Sequence, residues 1–224
     1  SGIKGVLRDS FEDSMKISGE EQSKAMATCL FGPSDCSHAS AISIGDGRLL
    51  ALPVRSFFGC FAYLTSPLVL TRIREEAKRV GISAIAELPI PTFAPNAEHY
   101  HGVVTSDTCL TGGGIERRVL LEEVDLLIDG EQRDVAKDWA QNLAVLMGLD
   151  EEERSVFQTR FVIADDNVLG FFCQTALPVE PHIAIDDETG TVKGGALWFE
   201  ETVPAETLFF GRVSVDRSYD SSGQ

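Results

Sequence analysis

Between Ile42 and Gly81 the chain reads ISIGDGRLLALPVRSFFGCFAYLTSPLVLTRIREEAKRVG, and this stretch restricts the fold more than any other. Apolar, β-prone runs broken by Gly45, Asp46 and Gly47 predict a strand, a tight turn and further strands, lying in a hairpin or at a sheet edge. From Pro67 the pattern changes period. Proline pre-sets the first helical turn, Leu68, Ile73 and Ala77 form an apolar stripe, basic residues fill the last turn and Gly81 stops the helix.

The remaining segments extend this mixture. Ser1 can cap a first helix in which Ile3, Val6, Leu7 and Phe11 recur at helical spacing, with Lys4, Arg8 and Glu12 on another side. Such an N-terminus offers unpaired amides at Ser1 and Gly2 beside a cation, which suits a phosphate, although an ordinary capped surface helix reads the same way. A second helix is expected over residues 20–30, ended by Gly32 and Pro33. Residues 84–117 change character, with Pro89, Pro91, Pro95 and a TGGG turn, and read as an insertion carrying short strands. One strand over 118–128 and a helix over 131–148 follow, the helix with Val135, Trp139, Leu143 and Leu146 on one face. RSVFQTRFVIADDN reads as a strand, and Asp165 or Asp166 can cap a short helix through Phe171 and Phe172. VEPHIAIDDETGTVKGGALWFEE is a β-hairpin with a charged tip at Asp186, Asp187 and Glu188. Strands and helices mix without strict alternation, so the expected class is α+β with an antiparallel sheet, for which ferredoxin-like split β-α-β arrangements are natural candidates.

At 224 residues and 43% hydrophobic content the chain can fill a real core. It has no apolar run of the roughly 18 residues a membrane helix needs and no secretory signal pattern, so a soluble, cytoplasmic protein without a membrane partner is expected. Cys29, Cys36, Cys60, Cys109 and Cys173 are odd in number and scattered, as reduced thiols are. The formal net charge of -16 argues against nucleic acid only until its distribution is seen. Residues 1–118 carry 12 Lys+Arg against 13 Asp+Glu, and residues 119–224 carry 7 against 22. The near-neutral first half can present a basic face, while the acidic half can serve solubility or meet a basic neighbouring subunit.

Familiar catalytic motifs are missing: no phosphate-binding Walker loop, dinucleotide glycine fingerprint, nucleophile elbow or zinc-protease helix. His99 and His101 could bind a metal, alone or with Cys29, Cys36 and His38, but the spacing is not diagnostic and no metal site is assigned. Glu200, followed by Glu201, ends an apolar run and could assist proton transfer or sit on a solvated strand end. Arg55 and Ser56 could grip a phosphate or form a structural ion pair.

Taken in order, SGIKGVLRD, LFGPSD, ISIGDGRLLALPVRSFFGCFAYLTSPLVLTR, RFVIADD and TGTVKGGALWFEETVPAETLFF resemble the RAMP-superfamily backbone subunits of type III-B CRISPR (Cmr) effectors, the fourth Cmr protein. The resemblance covers nearly the whole chain. It implies one RAMP domain over residues 1–224, an RRM-like, ferredoxin-type palm with insertions and a protruding thumb hairpin, placed at 179–197. It further implies binding of CRISPR guide RNA and target RNA, contacts with other Cmr subunits, head-to-tail self-association and endoribonuclease cleavage of the target at regular intervals.

Under this resemblance Ser1, Gly2, Lys4, Arg8, Arg55 and Ser56 would hold the guide backbone, and Glu200 would assist cleavage. Magnesium or manganese would support the reaction without being tightly bound. The family's N-terminal strand, its loop with the cleavage aspartate and its C-terminal glycine-rich segment have no counterpart here, so the isolated chain is expected not to cleave. Two alternatives remain open: a non-catalytic RNA-binding scaffold and an unrelated metal-dependent hydrolase.

Overall fold

The computed structural model describes residues 2–15, 20–33, 37, 39–93, 99–114, 117–185 and 191–216. Ser1, Cys36, His38 and the charged hairpin tip lie outside them. The elements run α1 (Gly2–Met15), α2 (Glu20–Phe31), β1 (Ile42–Ile44), β2 (Arg48–Arg55), β3 (Phe61–Thr65), α3 (Pro67–Val80), α4 (Ser83–Ala86), β4 (Tyr100–Val104), β5 (Arg118–Leu121) and β6 (Val124–Ile128). They continue with α5 (Arg133–Leu146), α6 (Glu151–Arg160), β7 (Phe161–Ala164), α7 (Asp166–Thr175), β8 (Val179–Ile185), β9 (Val192–Glu201), β10 (Leu208–Phe210) and β11 (Val213–Val215). The class is α+β, as expected, but the main sheet is mixed rather than antiparallel.

Two compact units share the chain, where the sequence reading takes 1–224 as one domain. The terminal unit comprises residues 1–48 and 211–224, the sheet unit 49–210. In the terminal unit α1 and α2 meet through Phe11 and Phe31, whose ring centroids are 5.9 Å apart, and through the buried Ser23 hydroxyl, which donates to the Glu12 carbonyl at 3.1 Å. β1 pairs antiparallel with β11 rather than with its sequence neighbour. The apolar positions expected to bury α1 stay open: Ile3 and Val6 are 68% and 69% exposed.

The sheet unit is built on seven strands in the order β10-β2-β3-β7-β4-β6-β5. At its centre β2/β3 is antiparallel, β3/β7 parallel and β7/β4 antiparallel. β3 and β7 are nearly continuous in apolar residues because both faces are covered. Helix α3 ends as its sequence demands, Gly81 adopting φ 78° at the C-terminus and donating to the Lys78 carbonyl at 3.4 Å. Trp139 on α5 is fully buried, and its indole N–H donates to the Pro89 carbonyl at 2.7 Å, which makes burial of the ring tolerable.

Several expectations are corrected. The strand read over 118–128 is two strands, β5 and β6, turning at Glu122 and Glu123. RSVFQTR is helical, because Asp150 and Glu153 form a capping box that starts α6, and only FVIA continues as strand. β4 falls inside 84–117 yet lies between β7 and β6, so that part of the segment belongs to the main sheet. The hairpin of β8 and β9 begins at Val179 as expected but pairs through to Glu201, past the expected end at 197.

Candidate nucleic-acid interface

Of the expected contact residues, all but Ser1, which lies outside the described residues, have a definite place. α1 starts at Gly2 and carries no acidic residue in its first turn, which leaves the positive end of its dipole without a carboxylate from that turn. Lys4 Nζ donates to the Ser40 hydroxyl. Arg8 is held more firmly, with Nε donating to Glu12 Oε1 at 2.9 Å and a terminal nitrogen donating to the Gly32 carbonyl at 2.9 Å. Both cations are half-buried and tie α1 to the loop that follows α2. An ammonium has three donors, and among the described residues Lys4 spends one of them, on Ser40.

Arg55 and Ser56 lie in the other unit and face different tasks. The Arg55 side chain is 89% exposed at the end of β2, with only a loose ion pair to Glu122 at 3.6 Å. Such a pair is weak in water and yields readily to a phosphate. Ser56 is buried, and its hydroxyl donates to the Leu120 carbonyl at 3.3 Å while its backbone bridges to Leu121. That hydroxyl is occupied within the fold, so Ser56 fixes the β2 end that presents Arg55.

The loop after Ser56 is clamped from several sides. Gly59 and Cys60 both adopt positive φ, 72° and 71°, to turn β2 into β3. A Cβ on Gly59 would stand 2.8 Å from Cys109 Sγ, so the backbone approaches there as only glycine permits. Arg160 Nε donates to the Gly59 carbonyl at 3.1 Å, and its guanidinium lies 5.7 Å from the Phe61 ring centroid. Phe57, 76% exposed, projects from this loop edge-on to Phe58 at 5.0 Å. Sequence reading missed Phe57, Phe61 and Arg160, although an exposed aromatic beside Arg55 is a signal that stacking surfaces share.

Beside Arg55 a pocket of about 390 Å³ opens at the root of the β8/β9 hairpin. Pro53, Arg55 and Phe61 line it from the sheet, residues 175–178 and 204–206 from the chain entering and leaving the hairpin, and Glu122 from the β5/β6 turn. The root is closed by the Thr202 N–H donating to the Pro178 carbonyl at 2.9 Å. Tyr63 donates to Glu206 Oε2 at 2.7 Å. Burial first, and then the hydrogen bond and charge of Glu206, push the Tyr63 phenol far above its ordinary range, so it stays protonated.

Glu200 is exposed on β9, opposite Glu180. Its Oε1 accepts from the Trp198 indole N–H at 2.9 Å, and Oε2 stands 3.6 Å from His182 Nε2. The His182 and Trp198 rings stack at 5.6 Å. The hairpin thus has two characters: Glu180, His182, Trp198 and Glu200 share one side, while Val179, Pro181, Ile183, Leu197 and Phe199 share the other and are all exposed. His99 and His101 stand at β4, and among the described residues no three His, Cys, Asp or Glu side chains are grouped to hold a metal.

With this geometry in view the relationships are clear. The chain belongs to the RAMP superfamily, whose pattern matches residues 1–221. Within that superfamily it is 31% identical over 216 residues to the CRISPR system Cmr endoribonuclease Cmr4 of Pyrococcus furiosus, covering 95% of this chain and 67% of the relative. The crystal structure of oligomeric Cmr4 from Pyrococcus furiosus superimposes with a TM-score of 0.66 at 24% identity, covering 98% of this chain and 70% of that one. A subunit in the cryo-EM structure of the type III-B Cmr-beta complex bound to cognate target RNA gives 0.59 at 14% identity, over 95% and 70%. These solved structures share the α+β fold described above. No helix among the described residues is long and apolar enough to cross a membrane.

Proposed function

We propose that this protein is a backbone subunit of a type III-B CRISPR effector, acting in the cytoplasm, where it binds guide RNA and serves in endonucleolytic cleavage of the target RNA. The likeness to Cmr4 along 95% of the chain carries this reading. The exposed Arg55 and the open N-terminus of α1, with Lys4 and Arg8, give it a chemistry, since cations and unpaired amides bind phosphates without reading bases. Gly2 begins the helix that supplies the amides; Ser56 holds the strand end under Arg55. Guide sequence is then read by base pairing with the target.

Cleavage in this reading is in-line attack by a ribose 2′-oxygen on the adjacent phosphorus. The new O–P bond forms as the bond to the 5′-oxygen breaks, and the proton of the 2′-hydroxyl ends on that departing oxygen. The fold contributes by splaying the chain so that attacking and leaving oxygens align. Among the described residues no three His, Cys, Asp or Glu side chains are grouped around a common point. Magnesium or manganese enters this proposal only as an ion carried by RNA phosphates and water. Glu200 is proposed to assist from the hairpin.

The neighbouring-subunit contacts are proposed to be head to tail, because a backbone subunit must meet its own copy through two different surfaces. Assembly of the full-length protein with its partners and guide RNA, followed by timed target cleavage, tests the whole reading. Regularly spaced products support it. An assembled complex that binds target and never cuts would establish the scaffold alternative.

A further inference from the structure

The β8/β9 hairpin leaves the sheet unit with no packed face of its own: among its described residues none is buried, so its direction is set where the chain enters and leaves it. Both crossings carry a proline, Pro178 before β8 and Pro204 after β9. The Thr202 N–H and hydroxyl donate to the Pro178 carbonyl at 2.9 and 3.4 Å and tie the two crossings to each other. That tie closes the hairpin; by itself it does not join it to the sheet. The exit does, since residues 203–207 lead into β10, at the sheet edge beside β2.

This exit is a tight turn. Thr207 donates twice to the Pro204 carbonyl, from its N–H at 3.3 Å and its hydroxyl at 2.7 Å. Glu206 stands at the third position of the turn with φ 70°. A type II turn demands a positive φ there and favours glycine, because a Cβ strains the left-handed backbone. Glutamate is a poor choice by that criterion, but it brings a carboxylate that glycine lacks, and Oε2 accepts from the Tyr63 hydroxyl at 2.7 Å. Tyr63 is a fixed point. It is 6% exposed on β3, inside the sheet, with its ring centroid 5.0 Å from that of Phe61 and 5.1 Å from that of Phe157. A hydroxyl donating to an ionised carboxylate makes one of the stronger hydrogen bonds, so it offsets strain at Glu206 that the backbone alone would relax.

We propose that Tyr63 and Glu206 are positioning residues: their hydrogen bond holds the exit turn in its left-handed conformation, fixes the direction in which the hairpin leaves the sheet, and so sets the alignment of the target strand for cleavage. The inference rests on the cleavage reading above and names the pair that orients the hairpin for it.

Three variants of the full-length protein, assembled with its partners and guide RNA, test it. Tyr63→Phe keeps the buried ring and removes the donor, Glu206→Gly relieves the φ and removes the acceptor, and Glu206→Gln keeps an acceptor oxygen. Tyr63→Phe and Glu206→Gly should each slow cleavage at saturating target by about tenfold, a modest misalignment, with target affinity within about twofold of wild type. Glu206→Gln should lie between wild type and Glu206→Gly. Hydrogen exchange at the Thr202 and Thr207 amides should quicken in the order of the lost rates. A purely structural bond would lower the melting temperature and leave the rate at saturating target unchanged well below it. Wild-type rates and exchange in Tyr63→Phe overturn the proposal, as does a Glu206→Gly variant that loses no more than Glu206→Gln. If the wild-type assembly binds target without cutting, the cleavage reading fails separately; exchange then decides the latch, faster in Tyr63→Phe upholding it and unchanged overturning it.

Discussion

The backbone N–H of Leu68 donates to Oδ1 of Asp166 at 2.9 Å, so the first residue of α7 caps the N-terminus of α3 across 98 positions of sequence. Ser66, at the N-cap position of α3, makes no side-chain capping bond. Asp165 meanwhile caps α7 itself through the Asn167 N–H at 2.9 Å. The paired aspartates of RFVIADD thus serve the two helices that directly follow the parallel strands β3 and β7 in the chain. Asp166→Ala should cost about 1 kcal/mol, the usual loss for a helix cap, and Asp166→Asn much less. Denaturant unfolding measures both; equal losses would mean that charge, not the cap hydrogen bond, matters.

Lys4→Ala and Arg55→Ala should each weaken binding of guide RNA irrespective of its sequence, because phosphates are the proposed partners. Each should reduce the slope of log affinity against log salt by about one or less. Arg55→Ala should do so with little change in stability, since its ion pair to Glu122 is exposed. Titrations over a salt series decide this, and unchanged slopes in both variants would move the RNA path elsewhere.

Glu200→Ala in the assembled complex should slow target cleavage and leave guide binding intact. The carboxylate also organises Trp198 and His182, so Trp198→Phe provides a control that removes the indole hydrogen bond and keeps an aromatic ring. If both variants lose activity equally, Glu200 acts by shaping the hairpin; a wild-type rate in Glu200→Ala returns it to the solvated surface.

Asp129 is held below the ordinary carboxylate range, chiefly by the Gln132 side-chain amide at 2.6 Å, against opposing desolvation. Gln132 also exchanges two hydrogen bonds with the Thr92 backbone. A depressed carboxylate stabilises the fold fully above its unfolded value near 4, and that contribution disappears as pH falls through the lower folded value. Asp129→Asn should therefore flatten the acid limb of stability below about pH 4 and matter least there. Thermal melts of both proteins between neutral and acid pH check the sign.

The pattern of what was readable follows the range of the interactions. Pro67 and Gly81 bound α3 in the sequence and in space, because φ preferences are local. Alternation in VEPHIAI and GALWFEE marked the hairpin, and its ordered motifs pointed to the family for the same reason. The capping box at Asp150 and Glu153 was equally local, yet the β-prone FVIA that follows obscured it. Strand order was not readable: β4 enters the centre of the sheet from a proline-rich segment because Val103 and Val104 are buried between β7 and β6, a pairing fixed by long-range register.

Sequence by itself determined the limits of α3, the presence of the two-strand hairpin and the residue types available for RNA, namely an arginine beside a serine and a helix N-terminus near a lysine. Tertiary structure alone decided which groups are already spent. Ser56 faces the Leu120 carbonyl 64 positions away, and Tyr63 reaches Glu206 across 143. Arg55, one residue from Ser56, remains open. A side chain's chemistry is set by its residue type, but its partner is whatever distant segment the fold brings within hydrogen-bond reach, and burial then makes leaving that group unpaired costly.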